Sequence, residues 1–278
     1  MLRRWLNMLL LAWRGGQAHD VPLLSAAIAF YAMLSLSPLL VVAVAVTALV
    51  IDPESASRYL VDVVAQVTNE EIAHFAQDVL RNTQRASSTF SAAGISLLLM
   101  LFGAARLFRQ IKAALNIVWD VQAQGLRATV RGHLLAVLMV LIASIALLAW
   151  LGVDVVLQAI SQRITHIAVA WQWVSFAAGW LLITLLFATA YRLLPDTRVE
   201  WRDVWIGAGI GALLFALCKL VVGFYLGFTG IQSVYGAAST AVVLLLWTYF
   251  SAQAFLFGAE CARVVWQERH RTADETTR

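Results

Sequence analysis

Leu220 to Ala259 reads LVVGFYLGFTGIQSVYGAASTAVVLLLWTYFSAQAFLFGA, a stretch without one Asp, Glu, Lys or Arg, bounded by Lys219 and Glu260. The hydrocarbon core of a bilayer is about 30 Å thick and takes about 20 apolar helical residues per crossing. The stretch therefore holds more than one crossing's worth, provided something interrupts it, and Gly227-Phe228-Thr229-Gly230 is placed to do so. Four more uncharged runs, each of roughly 20 residues or longer, lie upstream.

These runs predict an integral membrane protein. The composition agrees, with 61% hydrophobic and 13% charged residues against roughly 25% charged in a soluble domain, and a mean hydropathy of +0.78. No polar linker, low-complexity tract or repeat divides the chain, so residues 1–278 read as a single membrane domain. Cys218 and Cys261 lack metal-ligand or redox spacing and read as small apolar residues.

Six spans follow, making the expected fold an all-α bundle of six transmembrane helices. The first lies within Val21 to Ile51, the second within Ala86 to Ala105, the third within Gly132 to Val153 and the fourth within Ile164 to Tyr191. The fifth runs from near Val204 past Lys219 to about Gly227, and the sixth from near Ser233 to near Glu260. Of the 20 Lys and Arg, only Arg58, Arg81, Arg85 and Arg163 fall outside if both ends are inside, and Lys219 lies within a span. The positive-inside rule then places both termini, including the tail at 263–278, in the cytoplasm.

Ahead of the first span, Leu2, Trp5, Leu6, Leu9, Leu10 and Trp13 share one helical face, with Arg3, Asn7 and Arg14 turned away. Asn7 and the lack of a small-residue cleavage site argue against a signal peptide. Residues 1–20 are therefore expected to form a helix lying in the cytoplasmic interface. Residues 52–85 form the large extracytoplasmic segment, where Thr68 and Glu71 make a capping-box pattern before a stripe of Ile72, Phe75, Ala76, Val79 and Leu80. That helical segment rests on the bundle or membrane surface, or moves as a lid. Inside, Phe108, Ile111, Leu115 and Val118 extend the second span, with Arg106, Arg109 and Lys112 expected to meet anionic lipid headgroups.

No catalytic or metal constellation is visible, so no enzyme activity and no cofactor is expected. His19, His74, His133, His166 and His270 are scattered without ligand spacing and read as interfacial. The run Gly207-Ala208-Gly209-Ile210-Gly211-Ala212 imitates a dinucleotide fingerprint but lies in an apolar span, where Gly207 and Gly211 offer a face for close helix contact. Ser25, Ala29, Ala32 and Ser35 offer a similar face on the first span, and Pro38 is the expected hinge.

Lys219 is the most informative ionisable residue. It follows Asp203 by sixteen residues, about 24 Å along a helix. It should face a watery cavity or snorkel to the outer interface. On the sixth span Gln232, Ser239, Leu246, Gln253 and Glu260 recur every seven residues, with Tyr235, Gly236 and Tyr249 near the same stripe. A polar face of this kind is buried in a bundle or lines a path. The expected substrate path is Lys219, Tyr235, Ser239, Tyr249, Gln253 and Glu260.

Short motifs in a specific order carry a family resemblance. They are Ala29-Phe30-Tyr31 with Ser35-Leu36-Ser37-Pro38, Ala114-Leu115-Asn116-Ile117-Val118-Trp119, Leu194-Pro195-Asp196, Gly207-Ala208, Tyr235-Gly236-Ala237, Trp247-Thr248-Tyr249 and Gly258-Ala259-Glu260. The chain resembles the YihY/virulence factor BrkB family of bacterial inner-membrane proteins over nearly its whole length. The resemblance implies six helices, an inner-membrane location and links to envelope integrity, serum resistance and lipid movement, with no active site to carry over. An older family label, ribonuclease BN, implies tRNA processing, but the HxHxDH cluster of that zinc nuclease is absent from this sequence.

The expected function is a transporter-like protein that moves an anionic envelope lipid, phospholipid or glycolipid, or assists its export. The alternative is a scaffold holding an envelope protein partner on the outer face. A membrane-bound ribonuclease ranks last, and no nucleic-acid partner is expected.

Overall fold

The computed structural model describes residues 2–47, 52–67, 73–74, 76–78, 80–81, 106–121, 138, 168–197, 199–229 and 239–276. Every regular element among the described residues is helical. In chain order these are α1 (Leu2–Ala18), α2 (Val21–Thr47), α3 (Pro53–Val67), α4 (residues 106–118), α5 (Ala168–Leu193), α6 (Trp201–Thr229) and α7 (Ser239–Thr276). By length and composition Phe176–Leu193, Trp201–Val222 and Ala241–His270 each suffice to cross a membrane. Trp5–Ala18 and Val21–Ser35 pass the same test together, as a pair bent by 66°. The spans expected at 86–105 and 132–153 lie outside the described residues, apart from helical Leu138.

The centre of the molecule is the packing of α6 on α7, flanked by α5 on α6 and by α2 and α1 on α7. Glycine makes the α6–α7 contact close. A Cβ on Gly258 would lie 2.8 Å from the Gly207 carbonyl oxygen and 2.9 Å from the Gly211 Cα, and one on Gly207 would strike Gly258 and Ala262 backbone. Between lipid-embedded helices there is little hydrophobic driving force, so van der Waals contact and hydrogen bonds hold them, and small residues permit both. The expected role of Gly207 and Gly211 is therefore met, with Gly258 completing the seam.

The 66° corner comes at His19-Asp20. Asp20 has φ 50°, its amide donates to the Gln17 carbonyl at 3.3 Å, and its own carbonyl accepts from Leu24 at 3.0 Å. One residue in left-handed conformation thus ends α1 and starts α2. Downstream, α2 stays helical through Pro38. The small-residue face is buried as expected: Ser25 and Ser35 are fully covered and Ala29 nearly so.

The face that α1 turns inward is not its apolar stripe. Met8 and Ala12 are buried against Cys261 and Val264 of α7, whereas Trp5, Leu6, Leu9, Leu10 and Trp13 are exposed. Asn7 and Arg14 are exposed too. Lipid accommodates large apolar side chains, and a neighbouring helix accepts the small ones that let it come near.

On α3, Asp52 is the cap and Pro53 the first helical residue, and the Ser55 amide donates to Asp52 Oδ1 at 2.9 Å. Val64 packs on the buried cluster Val222, Val243, Leu244 and Trp247, setting α3 against the bundle. Farther on, Ala73, Ala76 and Leu80 are helical and buried, while Thr68, Glu71, Ile72, Phe75 and Val79 lie outside the described residues.

Candidate functional site

Four polar side chains from three parts of the chain meet at the α1–α2 corner. Glu260 on α7 is 1% exposed, and His19 Nδ1 lies 2.6 Å from its Oε1. Arg263, one turn on, lies 3.8 Å from Glu260 Oε2 and forms an ion pair with Asp120. The Arg263 NH1 group is 3.1 Å from His19 Nε2, and that nitrogen is 3.4 Å from Asp120 Oδ1. Asp120 itself is 62% exposed, so the cluster runs from the surface to a buried carboxylate.

The local folding that builds this cluster is compact. Gly15 leaves room for Glu260, since a Cβ there would sit 2.6 Å from its Oε2. The end of α4 is closed by bonds from Asp120 to Ile117 at 3.0 Å and from Val121 to Asn116 at 2.8 Å, with Asp120 at φ 50°. Asp20 and Asp120 thus turn the two segments that carry their neighbours to α7. Among the described residues no three His, Cys, Asp or Glu side chains are grouped to hold a metal ion. Here the Arg263 guanidinium sits between the two carboxylates.

Beside the corner lies an open apolar cavity of about 540 Å³, within the range of ligand pockets. Gly16, Val21 and Pro22 form one wall, and Leu217 and Cys218 of α6 with Phe257 of α7 form the other. Gln253 is a polar side chain in its lining.

The expected path residues do not share one surface. Gln253 lines the cavity, whereas Glu260 faces the α1–α2 corner. Lys219 is exposed on α6 and adjoins Cys218 of the wall without lining the cavity. Tyr249 is half-buried with its ring 5.3 Å from that of Phe250, and Ser239 opens α7. Gln232, Tyr235 and Gly236 lie outside the described residues.

Two other expectations need correction. His19, read as one of five scattered histidines, is a partner of Glu260 at 13% side-chain exposure. Lys112 does not reach outward to headgroups: it is 8% exposed, and its Nζ lies 2.9 Å from Asp196 Oδ1. Both errors have one cause, because the partners lie 241 and 84 positions away in sequence. Arg106 and Arg109, by contrast, are exposed.

The motif residues largely hold elements together. Asn116 donates to Asp196 Oδ2 at 3.0 Å and accepts from the Asp196 amide at 2.9 Å, fastening α4 to the α5–α6 turn where Pro195 is buried. Trp119 packs edge-on against Trp266, their rings 6.0 Å apart. Gly207 meets Gly258, Trp247 is buried beside Val222, and Tyr31 packs edge-on at 5.5 Å against exposed Phe30. Tyr191, which carried no sequence signal beyond its apolar surroundings, is fully buried and donates to the Phe255 carbonyl at 2.5 Å.

The chain is 32% identical over 208 residues to a UPF0761 membrane protein of Alcanivorax borkumensis, covering 70% of this chain and 46% of that protein. It is 28% identical over 252 residues to one of Paraburkholderia xenovorans, 87% of this chain and 56% of that protein. A Yersinia pestis UPF0761 membrane protein is 30% identical over 185 residues, 62% and 59% of the two chains. The chain thus spans about half the length of the relatives it matches. No solved structure matches it. The sequence profile of the family described as Virulence factor BrkB matches residues 12–278, so this membrane protein belongs to the BrkB family.

Proposed function

We propose that the chain is a non-catalytic carrier in a bacterial inner membrane, with both termini cytoplasmic and six spans, and that its cargo is an anionic phospholipid or glycolipid. The observation that supports this most is the apolar cavity of about 540 Å³ beside exposed Lys219. Its wall includes exposed Trp13, Leu217 and Phe250. An acyl chain fits such a lining, Gln253 offers a polar contact within it, and the Lys219 ammonium attracts a headgroup phosphate. Ribonuclease chemistry has no support in the chain's motifs.

The test uses vesicles containing the purified protein and a fluorescent phosphatidylglycerol, with bilayer crossing read by chemical quenching of outer-leaflet dye. Leu217→Trp, which narrows the cavity, and Lys219→Met should each reduce crossing at wild-type protein levels, and Lys219→Arg should retain part of it. Native mass spectrometry should show less retained anionic lipid on Lys219→Met. Unchanged crossing and retention in both Leu217→Trp and Lys219→Met would sink the proposal.

A further inference from the structure

The polar cluster at the α1–α2 corner contains two carboxylates, Asp120 and Glu260, but one permanently charged cation, Arg263. With His19 neutral its formal charge is −1, and with one proton added it is zero. That difference matters because Glu260 is 1% exposed on a membrane-spanning helix, where an uncompensated charge is costly. A buried carboxylate is costly unless it is paired and hydrogen-bonded, and the one full cation beside Glu260, Arg263, is shared with Asp120. Facing Glu260 are His19 from the corner, Asp120 from the end of α4 and Arg263 from its own helix, while α1 presents Gly15.

The geometry gives that proton both a seat and a route. In the neutral tautomer with its proton on Nδ1, His19 donates to Glu260 across 2.6 Å and leaves Nε2 to accept from Arg263 at 3.1 Å. A proton arriving at Nε2 ends that second bond, turns the contact repulsive and makes His19 a donor toward Asp120, 3.4 Å away. Asp120, at 62% exposure, meets bulk water. The line Asp120, His19, Glu260 therefore connects solvent with a buried carboxylate through both nitrogens of one imidazole.

The same corner forms the cavity wall. Gly16, Gln17, Val21 and Pro22 line the cavity from either side of His19, and Phe257 lines it one turn before Glu260. Any change in the His19–Glu260 contact is thus applied to the wall through a 66° bend between two helices.

We propose that His19 and Glu260 form a proton-binding site loaded through Asp120, and that the carrier couples cargo movement to protons taken up there. The site stands on its own geometry. The coupling rests on the carrier reading above.

The experiment uses the full chain in vesicles of phosphatidylethanolamine and phosphatidylglycerol. Infrared difference spectra across a pH titration should show a carboxyl band that is missing in the isosteric Glu260→Gln, and its midpoint should shift in His19→Gln. Asp120→Asn should slow proton uptake after a pH jump while leaving its extent intact, which a purely structural ion pair would not do. Identical titrations in wild type and Glu260→Gln would overturn the site. Should Glu260→Gln fail to insert, an unmoved midpoint in His19→Gln overturns it equally.

For coupling, fluorescent phosphatidylglycerol crossing should respond to an imposed pH gradient in wild type and lose that response in Glu260→Gln. Crossing indifferent to the gradient in wild type overturns the coupling and leaves the carrier. If the band is present and depends on Glu260 but no crossing occurs in any variant, the carrier reading fails and the proton site stands.

Discussion

Tyr191 on α5 donates its phenolic proton to the carbonyl oxygen of Phe255 on α7, 2.5 Å away, across the seam formed by Gly211 and Gly258. A Cβ on Gly258 would lie 2.5 Å from that phenolic oxygen and one on Gly211 3.0 Å from it, so the hydroxyl occupies the space that two glycines leave. Helices α5, α6 and α7 are thus locked at one point. Interhelical hydrogen bonds in membranes average about 0.6 kcal/mol and reach about 1.7. Tyr191→Phe should therefore destabilise the protein by an amount in that range, read from denaturation in mixed micelles.

The glycines of α6 and α7 should differ from one another. Gly258→Ala forces a Cβ against Gly207 and Gly211 backbone, and overpacking of this kind costs about 1–3 kcal/mol. Gly209→Ala meets only the ring edge of Trp180 at 3.5 Å, ordinary contact. The expected result is a large loss of thermal stability for Gly258→Ala and none for Gly209→Ala. Equal effects would mean that close backbone approach is not what the seam requires.

Lys112, Asn116 and Asp196 act as a unit. The Lys112 and Asp196 side chains are 11% and 15% exposed, and Asp196 also bonds twice to Asn116. Removing one member of a buried pair typically costs about 3–5 kcal/mol. Asp196→Leu should fall near that range in the same micelle denaturation, and adding Lys112→Met should recover at least about 1 kcal/mol. Strict additivity of the two substitutions would show that the pair does not couple.

Asp52 predicts a local acid response. The Ser55 hydroxyl, and then the Ser55 amide, hold its carboxyl below the ordinary value of 3.8. A carboxylate lowered by folding contributes stability that is complete above its unfolded value and lost as pH falls through its folded value. Protection of Ser55 and Ala56 amides against exchange should therefore hold from neutral pH down to about 3.8 and decline below it. Asp52→Asn should abolish that decline while still capping α3.

Topology is checked by labelling. In a Cys218→Ser, Cys261→Ala background, cysteines placed by Ser57→Cys and Gln84→Cys should react in intact cells with a membrane-impermeant reagent, and Thr277→Cys should not. Reaction at Thr277→Cys would reverse the orientation derived from the charge count.

Several features were legible in the chain as written. The uncharged run around Trp247 predicted a crossing because lipid demands apolar side chains over about 20 consecutive residues, a local property. Gly207 and Gly211 were legible as a packing face for the same reason: their spacing is helical and their surroundings apolar. Family membership rested on ordered motifs, and the profile match over residues 12–278 bears it out.

What depended on distance in sequence was not legible. Glu260 was readable as a polar position on a stripe of period seven, yet Gln253, one repeat earlier, opens into the cavity while Glu260 meets His19. Sequence alone determined the membrane-embedded class, the helical spacing and the glycine faces, all set by solvation and backbone sterics over a few neighbouring residues. Only the tertiary structure decided that His19, Asp120, Glu260 and Arg263 share one site. Their pairing comes from how helices far apart in the chain fit together, and no local pattern encodes which buried charge will meet which partner.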